Sequence, residues 1–201
     1  MNDIENARAD IRKYFDPSHG IEGSEDFEVS PSGHFRLETK EFSQTKPDMN
    51  WIVTRVRIFD RRSEKMMFEF VTDNRHFHHA WFQKRSNELL LSSEILDGGQ
   101  TIINLTGKEL YSYCSTDAGF IWADYHMSPS TERLAVIGCY WACPYEIKVY
   151  DFNDPFNLPL KLLGSFPLEP GDKTQINWIS DQVFEVPVED GSKKTYKIKP
   201  E

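Results

Sequence analysis

Val56-Arg57-Ile58-Phe59-Asp60 and Ile147-Lys148-Val149-Tyr150-Asp151 are one pattern written twice: branched aliphatic, cation, branched aliphatic, aromatic, aspartate. Between them, Thr101-Ile102-Ile103-Asn104-Leu105-Thr106 occupies the equivalent strand and turn, with Thr106 standing 46 residues after Asp60 and 45 before Asp151. A further step of that size reaches Tyr196-Lys197-Ile198-Lys199, again alternating. Side chains on a strand point to opposite faces in turn, so the first copy, extended back to Ile52, sets Ile52, Thr54, Val56 and Ile58 on one face and Arg55 and Arg57 on the other. Leu134-Ala135-Val136-Ile137 has no polar partner face and reads as a strand covered on both sides.

A second marker runs in phase with the first. Ser30-Pro31-Ser32-Gly33 precedes His34-Phe35-Arg36-Leu37, Lys84-Arg85-Ser86-Asn87 precedes Leu89-Leu90-Leu91, Ser128-Pro129-Ser130 precedes Arg133-Leu134-Ala135-Val136, and Ser180-Asp181 precedes Val183-Phe184-Glu185-Val186. Further turn signals at Asp73-Asn74-Arg75, Asp97-Gly98-Gly99, Thr106-Gly107, Asp154-Pro155, Glu169-Pro170-Gly171 and Asp190-Gly191 divide the chain beyond about residue 26 into about fifteen strands. Ahead of them, Ile4, Ala7, Ile11 and Phe15 recur at helical spacing. Asp3 is placed to cap the start, and Pro17 and Gly20 punctuate the end, so residues 1–17 form a short amphipathic helix that lays a narrow apolar stripe on the main body.

A period near 45 residues with four strands per unit is that of a propeller blade, in which each small sheet buries its faces against its neighbours. The Ser-Pro-Ser hairpin before Leu134-Ala135-Val136, followed by Lys148-Val149-Tyr150-Asp151, resembles the blade grammar of the β-propeller superfamily, of WD-repeat and related propellers, over residues 26–199. No Gly-His and Trp-Asp pair marks the blades, so only the architecture carries over. The fold class expected is all-β: a small four-bladed propeller or propeller-like array with one N-terminal helix, in a single domain over 26–199. Its blades are Phe27 to Asp73, His76 to Cys114, Gly119 to Phe166 and a three-stranded Thr174 to Lys199. A β-sandwich built from the same hairpins is the alternative.

The 201 residues carry 39% hydrophobic and 13% aromatic side chains, enough for one core that buries roughly 70% of the unfolded surface, which excludes wholesale disorder. With 32 acidic against 23 basic residues the net charge is −9, which argues against a nucleic-acid partner; the Lys193, Lys194, Lys197, Lys199 cluster is too small to reverse it. No stretch approaches the ~20 apolar residues of a membrane span and residues 1–16 lack a secretory apolar stretch, so a soluble, cytoplasmic protein without membrane contact is expected. Three cysteines, Cys114, Cys139 and Cys143, suit a reducing compartment with free thiols.

Candidate site residues follow from strand parity and from aromatic clustering. His76, His78 and Ala80 share one face and Phe77, His79 and Trp81 the other; His76 and His78 lie close enough to share a metal ion, against which stands the simpler reading of satisfied polar groups at a strand end. In Cys139-Tyr140-Trp141-Ala142-Cys143-Pro144-Tyr145-Glu146 a straight strand holds the two cysteines roughly 13 Å apart, too far for one zinc ion. A turn near Pro144 would bring them together, but no second cysteine pair completes a zinc pattern, and the simpler reading is a wide hairpin whose cysteines act as small buried hydrophobes. It also resembles a run found in small uncharacterised proteins, a resemblance that brings no activity with it. Tyr140, Trp141 and Tyr145 form the aromatic cluster of a recognition loop. Trp81, Trp122 and Trp178 recur near the first strands of three blades, as shared lining or as packing plugs. Asp124 and His126 share parity with Trp122, and with Glu146 they are the candidate acid–base set.

Phosphate-loop, nucleophile-elbow, His-Glu-x-x-His and dinucleotide motifs are all missing, and no cofactor is implied. The first expectation is therefore a binding or scaffold module that recognises a protein, peptide or small ligand through His76, His78, Trp81, Trp122, Tyr140, Trp141 and Tyr145. The alternative is a hydrolase or metal-dependent enzyme with Asp124, His126 and Glu146 in a central cavity, and a purely structural subunit is the third class.

Overall fold

A computed structural model describes residues 4–46, 49–73, 75–95, 98–114 and 119–199. Asp3, Asn74 and Asp97, to which the sequence assigns a cap and two turns, lie outside the described residues. One α-helix, α1 (Ile4–Tyr14), is followed by a short 3-10 turn (Pro17–His19) and then, among the described residues, by fifteen strands. They form four consecutive antiparallel sheets in chain order. The first holds β1 (Asp26–Val29), β2 (Phe35–Lys46), β3 (Met49–Asp60) and β4 (Lys65–Thr72); the second holds β5 (His79–Lys84), β6 (Asn87–Ser92), β7 (Gln100–Asn104) and β8 (Glu109–Tyr113). The third holds β9 (Ile121–Met127), β10 (Arg133–Cys139), β11 (Glu146–Asp151) and β12 (Leu162–Pro167), and the fourth β13 (Asn177–Ser180), β14 (Val183–Pro187) and β15 (Lys193–Lys197).

The same registration point recurs in every sheet. Asp60, Asn104, Asp151 and Lys197 pair with Phe35, Leu89, Arg133 and Val183, and stand 44, 47 and 46 residues apart. The residue after each donates its N–H to a carbonyl at the preceding hairpin: Arg61 to His34, Leu105 to Glu88, Phe152 to Glu132 and Ile198 to Gln182, all at 2.9–3.0 Å. The equivalent of Asp60 in the second sheet is therefore Asn104, two residues before the expected Thr106. The reason is local chemistry: the side-chain oxygens of Asp60, Asn104 and Asp151 each accept a backbone N–H two or three residues on, which turns the chain there.

The chain divides into two compact units, 1–117 and 118–201. In the first, the inner face of the first sheet (Leu37, Val56, Ile58, Phe70) packs on Leu90 and Ile103 of the second and on Phe77 and Leu105, which flank its strands. Ile4 and Ile11 of α1 form a satellite core with Phe42, Val53, Val71, Ile95 and Cys114, which is why Val53 is buried although parity assigns it to the outer face of β3. Arg8 anchors the helix: its Nε and Nη2 donate at 2.7 and 2.9 Å to the carboxylate of Glu94, whose side chain is wholly buried and also accepts from Thr101 and Ser112. In the second unit, Ala135, Ile137, Ile147 and Val149 of the third sheet meet Ile176, Phe184, Val186 and Ile198. Leu134 to Ile137 are at most 1% exposed, as their unbroken apolar run requires.

Two polar fastenings repeat between paired sheets. Ser30 and Ser128 shape their hairpins by accepting the N–H of Phe35 and Arg133, which leaves the next serine facing the following sheet. There Glu88 accepts from the Ser32 hydroxyl and Asp181 accepts from the Ser130 N–H. Trp81 donates its indole N–H to Glu28 on β1 at 2.7 Å, and Trp178 donates its own to the His126 carbonyl on β9 at 3.1 Å.

Candidate functional site

The chain leaves β10 at Cys139 and re-enters β11 at Glu146, and the six residues between them project as a loop. Ala142 takes a left-handed φ of 59°, and the N–H of Cys143 donates to the Tyr140 carbonyl at 2.9 Å. The loop base rests on Lys148, which is only 7% exposed. Its Nζ lies 4.3 Å from the ring centroids of both Phe120 and Tyr140 and donates to the Tyr140 hydroxyl, with Glu146 Oε1 at 3.8 Å. A cation held between two rings in so dry a place gains on the order of 1–2 kcal/mol per ring. Gly138 permits the approach: a Cβ there would stand 2.1 Å from the Ile121 carbonyl oxygen and 2.9 Å from the Phe120 ring.

On that base two rings, Trp141 and Tyr145, stand in solvent, and Tyr140, itself part of the base, is exposed along with them. Trp141 is 70% exposed, Tyr145 48% and Tyr140 37%. Rings with two side-chain torsions lose little freedom when a partner covers them, so a loop of this kind is equipped to bind. Cys143 is exposed and Cys139 half-buried, which corrects the expectation that both are buried hydrophobes; burial pushes the Cys139 thiol up. Lys148 and Phe120 escaped the sequence reading because a lysine inside an alternating strand reads as a solvated face.

The expected acid–base set is split by a bulge. Gly138 pairs with Trp122 but Ile137 pairs with Asp124, so Ala123 is an extra residue on β9 and the parity joining Trp122 to Asp124 and His126 is broken. Trp122, 1% exposed, contacts Tyr125 and Tyr150 on one face, in the row of Gly138 and Glu146. Asp124 and His126 lie on the other face, with Asp124 Oδ2 3.1 Å from His126 Nε2. Burial holds the imidazole below its usual pKa, and the Asp124 carboxylate opposes that shift. Glu146 is thus not brought to the Asp124–His126 pair, and Trp122 packs against the half-buried Tyr125 and the buried Tyr150.

In the first unit β5 begins only at His79, and Phe77 has a left-handed φ of 40°, so strand parity does not extend to residues 76–78. The rings of His76 and His78 still approach to 5.9 Å, both exposed, with His76 Nδ1 3.9 Å from Glu41. Among the described residues no group of three or more histidine, cysteine, aspartate or glutamate side chains is arranged to hold a metal ion. The better-built cluster is one that the sequence reading missed. His79 stacks on Phe77, its Nδ1 lies 2.8 Å from the Phe77 carbonyl and its Nε2 2.9 Å from Glu28, whose other oxygen accepts from Trp81. The alternation of His79 and Trp81 was legible; the stacking of Phe77, which lies outside β5, and the meeting with Glu28, about fifty residues earlier, were not.

Four successive meander sheets with one registration point per period of about 45 residues define a propeller-like, nearly all-β protein, and the strand order alone carries that assignment. No family model matches the chain. It is 29% identical over 182 residues to the uncharacterized protein R762 of Acanthamoeba polyphaga mimivirus, an alignment that covers 86% of this chain and 70% of that one. Among solved structures it is similar to TolB from Acinetobacter baumannii (TM-score 0.43, 12% identity) and to the Kuenenia stuttgartiensis hydrazine synthase (0.45, 12%). These cover 90% and 87% of this chain, which spans only 44% and 58% of theirs. The β-propeller domain of Cps50 (Swd1) from Myceliophteria thermophila aligns at TM-score 0.42 and 9% identity, over 89% of this chain and 85% of that one. No helix among the described residues is long and apolar enough to cross a membrane.

Proposed function

We propose that this protein is a binding module that holds a protein or peptide partner on the loop between β10 and β11. The observation that carries this reading is the exposure of Tyr140, Trp141 and Tyr145 above a base fixed by Lys148 and Phe120. Exposed rings on a mobile loop would lose freedom on binding; here the strand ends and the lysine clamp have already removed much of it. The net charge of −9 favours a partner that is not itself a polyanion. The hydrolase alternative rests on the Asp124–His126 hydrogen bond alone, with Glu146 on the opposite face of the sheet.

The test replaces Trp141 with a photo-crosslinking residue, identifies the protein joined to it, and titrates that purified partner against wild type and the Trp141→Ala/Tyr145→Ala double variant. Loss of binding at least tenfold in the double variant, with an unchanged unfolding curve, is the expected result. Equal affinity of wild type and variant would reject the loop as the site.

A further inference from the structure

The outer face of the first sheet is a ladder of charges. Arg36 pairs with Glu38 and Glu64, Lys40 with Glu25, and Arg57 with Glu69. Arg55 is the exception. It stands directly opposite Lys40 and two residues from Arg57, and it makes no hydrogen bond or ion pair with any described residue. Its guanidinium carbon lies 4.9 Å from the ring centroid of the buried Phe42, which covers one side of the fork. Burial and, less strongly, the adjacent Arg57 charge act against its own charge and outweigh the opposing pull of Glu69 and Glu38. A part-buried cation beside two other cations, whose nearest carboxylates, Glu38 and Glu69, are each bonded to another arginine, has only a shared and partial counter-charge.

Arg55 opens onto a cleft of about 320 Å³ lined also by Glu25, Phe27, Glu38, Lys40 and Arg57. That is the small end of the ligand-pocket range. The Phe27 ring at its rim is 73% exposed, on an edge strand where a solvated side chain would be the ordinary choice. Glu25, Asp26 and Glu38 at the same rim would repel a doubly charged phosphate but tolerate a single negative charge that reaches the guanidinium. We propose that this cleft binds a singly charged carboxylate joined to an apolar group, the Arg55 fork taking the two carboxylate oxygens and Phe27 covering the apolar part. The carboxylate belongs either to a small free acid or to the C-terminus of a peptide ending in an apolar residue.

The experiment is a nuclear magnetic resonance titration of the full chain, reading the Arg55 Nε–H and the Phe27 amide. The probes are 3-phenylpropionate, its uncharged amide, a short peptide ending in phenylalanine as free acid and as amide, and inorganic phosphate. Saturable shifts are expected with at least one of the two acids, binding about tenfold or more weaker for its amide, loss of binding in Arg55→Gln and partial retention in Arg55→Lys. Phe27→Ser, an exposed change that leaves the core untouched, weakens the same acid. Whichever acid saturates at lower concentration identifies the source. The proposal is overturned if neither acid saturates, if the amides or phosphate bind as tightly as the acids, or if Arg55→Gln titrates like wild type.

Discussion

The two units are built by one rule and finished differently. Each fastens a pair of sheets through an acid on a serine hairpin (Glu88 to Ser32, Asp181 to Ser130) and an indole on the preceding first strand (Trp81 to Glu28, Trp178 to His126). The first unit adds a helix tied inward by the Arg8–Glu94 pair, whereas the second adds an outward loop of three rings. Features in the repeating frame hold the sheets together; features outside it give each unit its own character. The His79–Glu28–Trp81 cluster lies at the frame's indole position, and the second unit puts a backbone carbonyl in place of the glutamate.

The largest expected effect breaks this comparison on one side only. Arg8→Ala strands the wholly buried Glu94 carboxylate and should cost about 3–5 kcal/mol in urea unfolding, with faster amide exchange over residues 4–114 and little change over 119–199. Next is Gly138→Ala, peculiar to the second unit, where a methyl has no room beside Ile121; about 1–3 kcal/mol is expected, together with shifted Phe120 and Tyr140 resonances. Uniform destabilisation of both units by either change would erase the distinction drawn between them.

The shared fastening can be weighed directly. Glu88 is 5% exposed and Asp181 more open, so Glu88→Ala should cost about 1–3 kcal/mol and Asp181→Ala under about 1. A hydrogen bond from Ser128, helped by weaker ones from Ser130 and by the Arg133 charge, holds the Asp181 carboxyl below its usual pKa against the opposing effect of burial. Its folded value being depressed, its contribution is complete above the unfolded value of about 3.9 and disappears as pH falls through the folded one. The Asp181→Ala variant should therefore show a shallower loss of stability with acid than wild type. Equal costs for the two acids would show that burial does not distinguish the two fastenings.

The smallest effect concerns His126. Burial, the larger influence, depresses its folded pKa, so the stabilising contribution of the neutral ring is present above about pH 6.5 and lost as pH falls through the folded value. A proton titration should place its midpoint below 6.5; a midpoint above it would mean that Asp124 outweighs burial.

Much of the frame was legible because turns announce themselves. The serine hairpins, the apolar runs after them and the closing aspartates are local features, and they place the four sheets close to where they lie. Asn104 was misplaced by two residues because Leu105 and Thr106 prolong an apolar, branched run that the asparagine side chain has already turned. The Ala123 bulge was invisible because strand parity assumes an unbroken ladder, and its cost was the false grouping of Trp122 with Asp124 and His126. Exposed rings at Tyr140, Trp141 and Tyr145 followed from their place in a loop. The Lys148 clamp, the Arg8–Glu94 pair and the unpaired Arg55 depend on residues brought together from distant strands, which no local pattern encodes.

The central claim is a single registration point used four times. Its most direct test is a measurement of couplings across hydrogen bonds in the labelled full chain, read at the amides of Arg61, Leu105, Phe152 and Ile198. Four couplings, to the carbonyls of His34, Glu88, Glu132 and Gln182, are the predicted result. A coupling from any of these amides to a carbonyl of another sheet, or a fourth amide open to solvent exchange, would contradict the repeat.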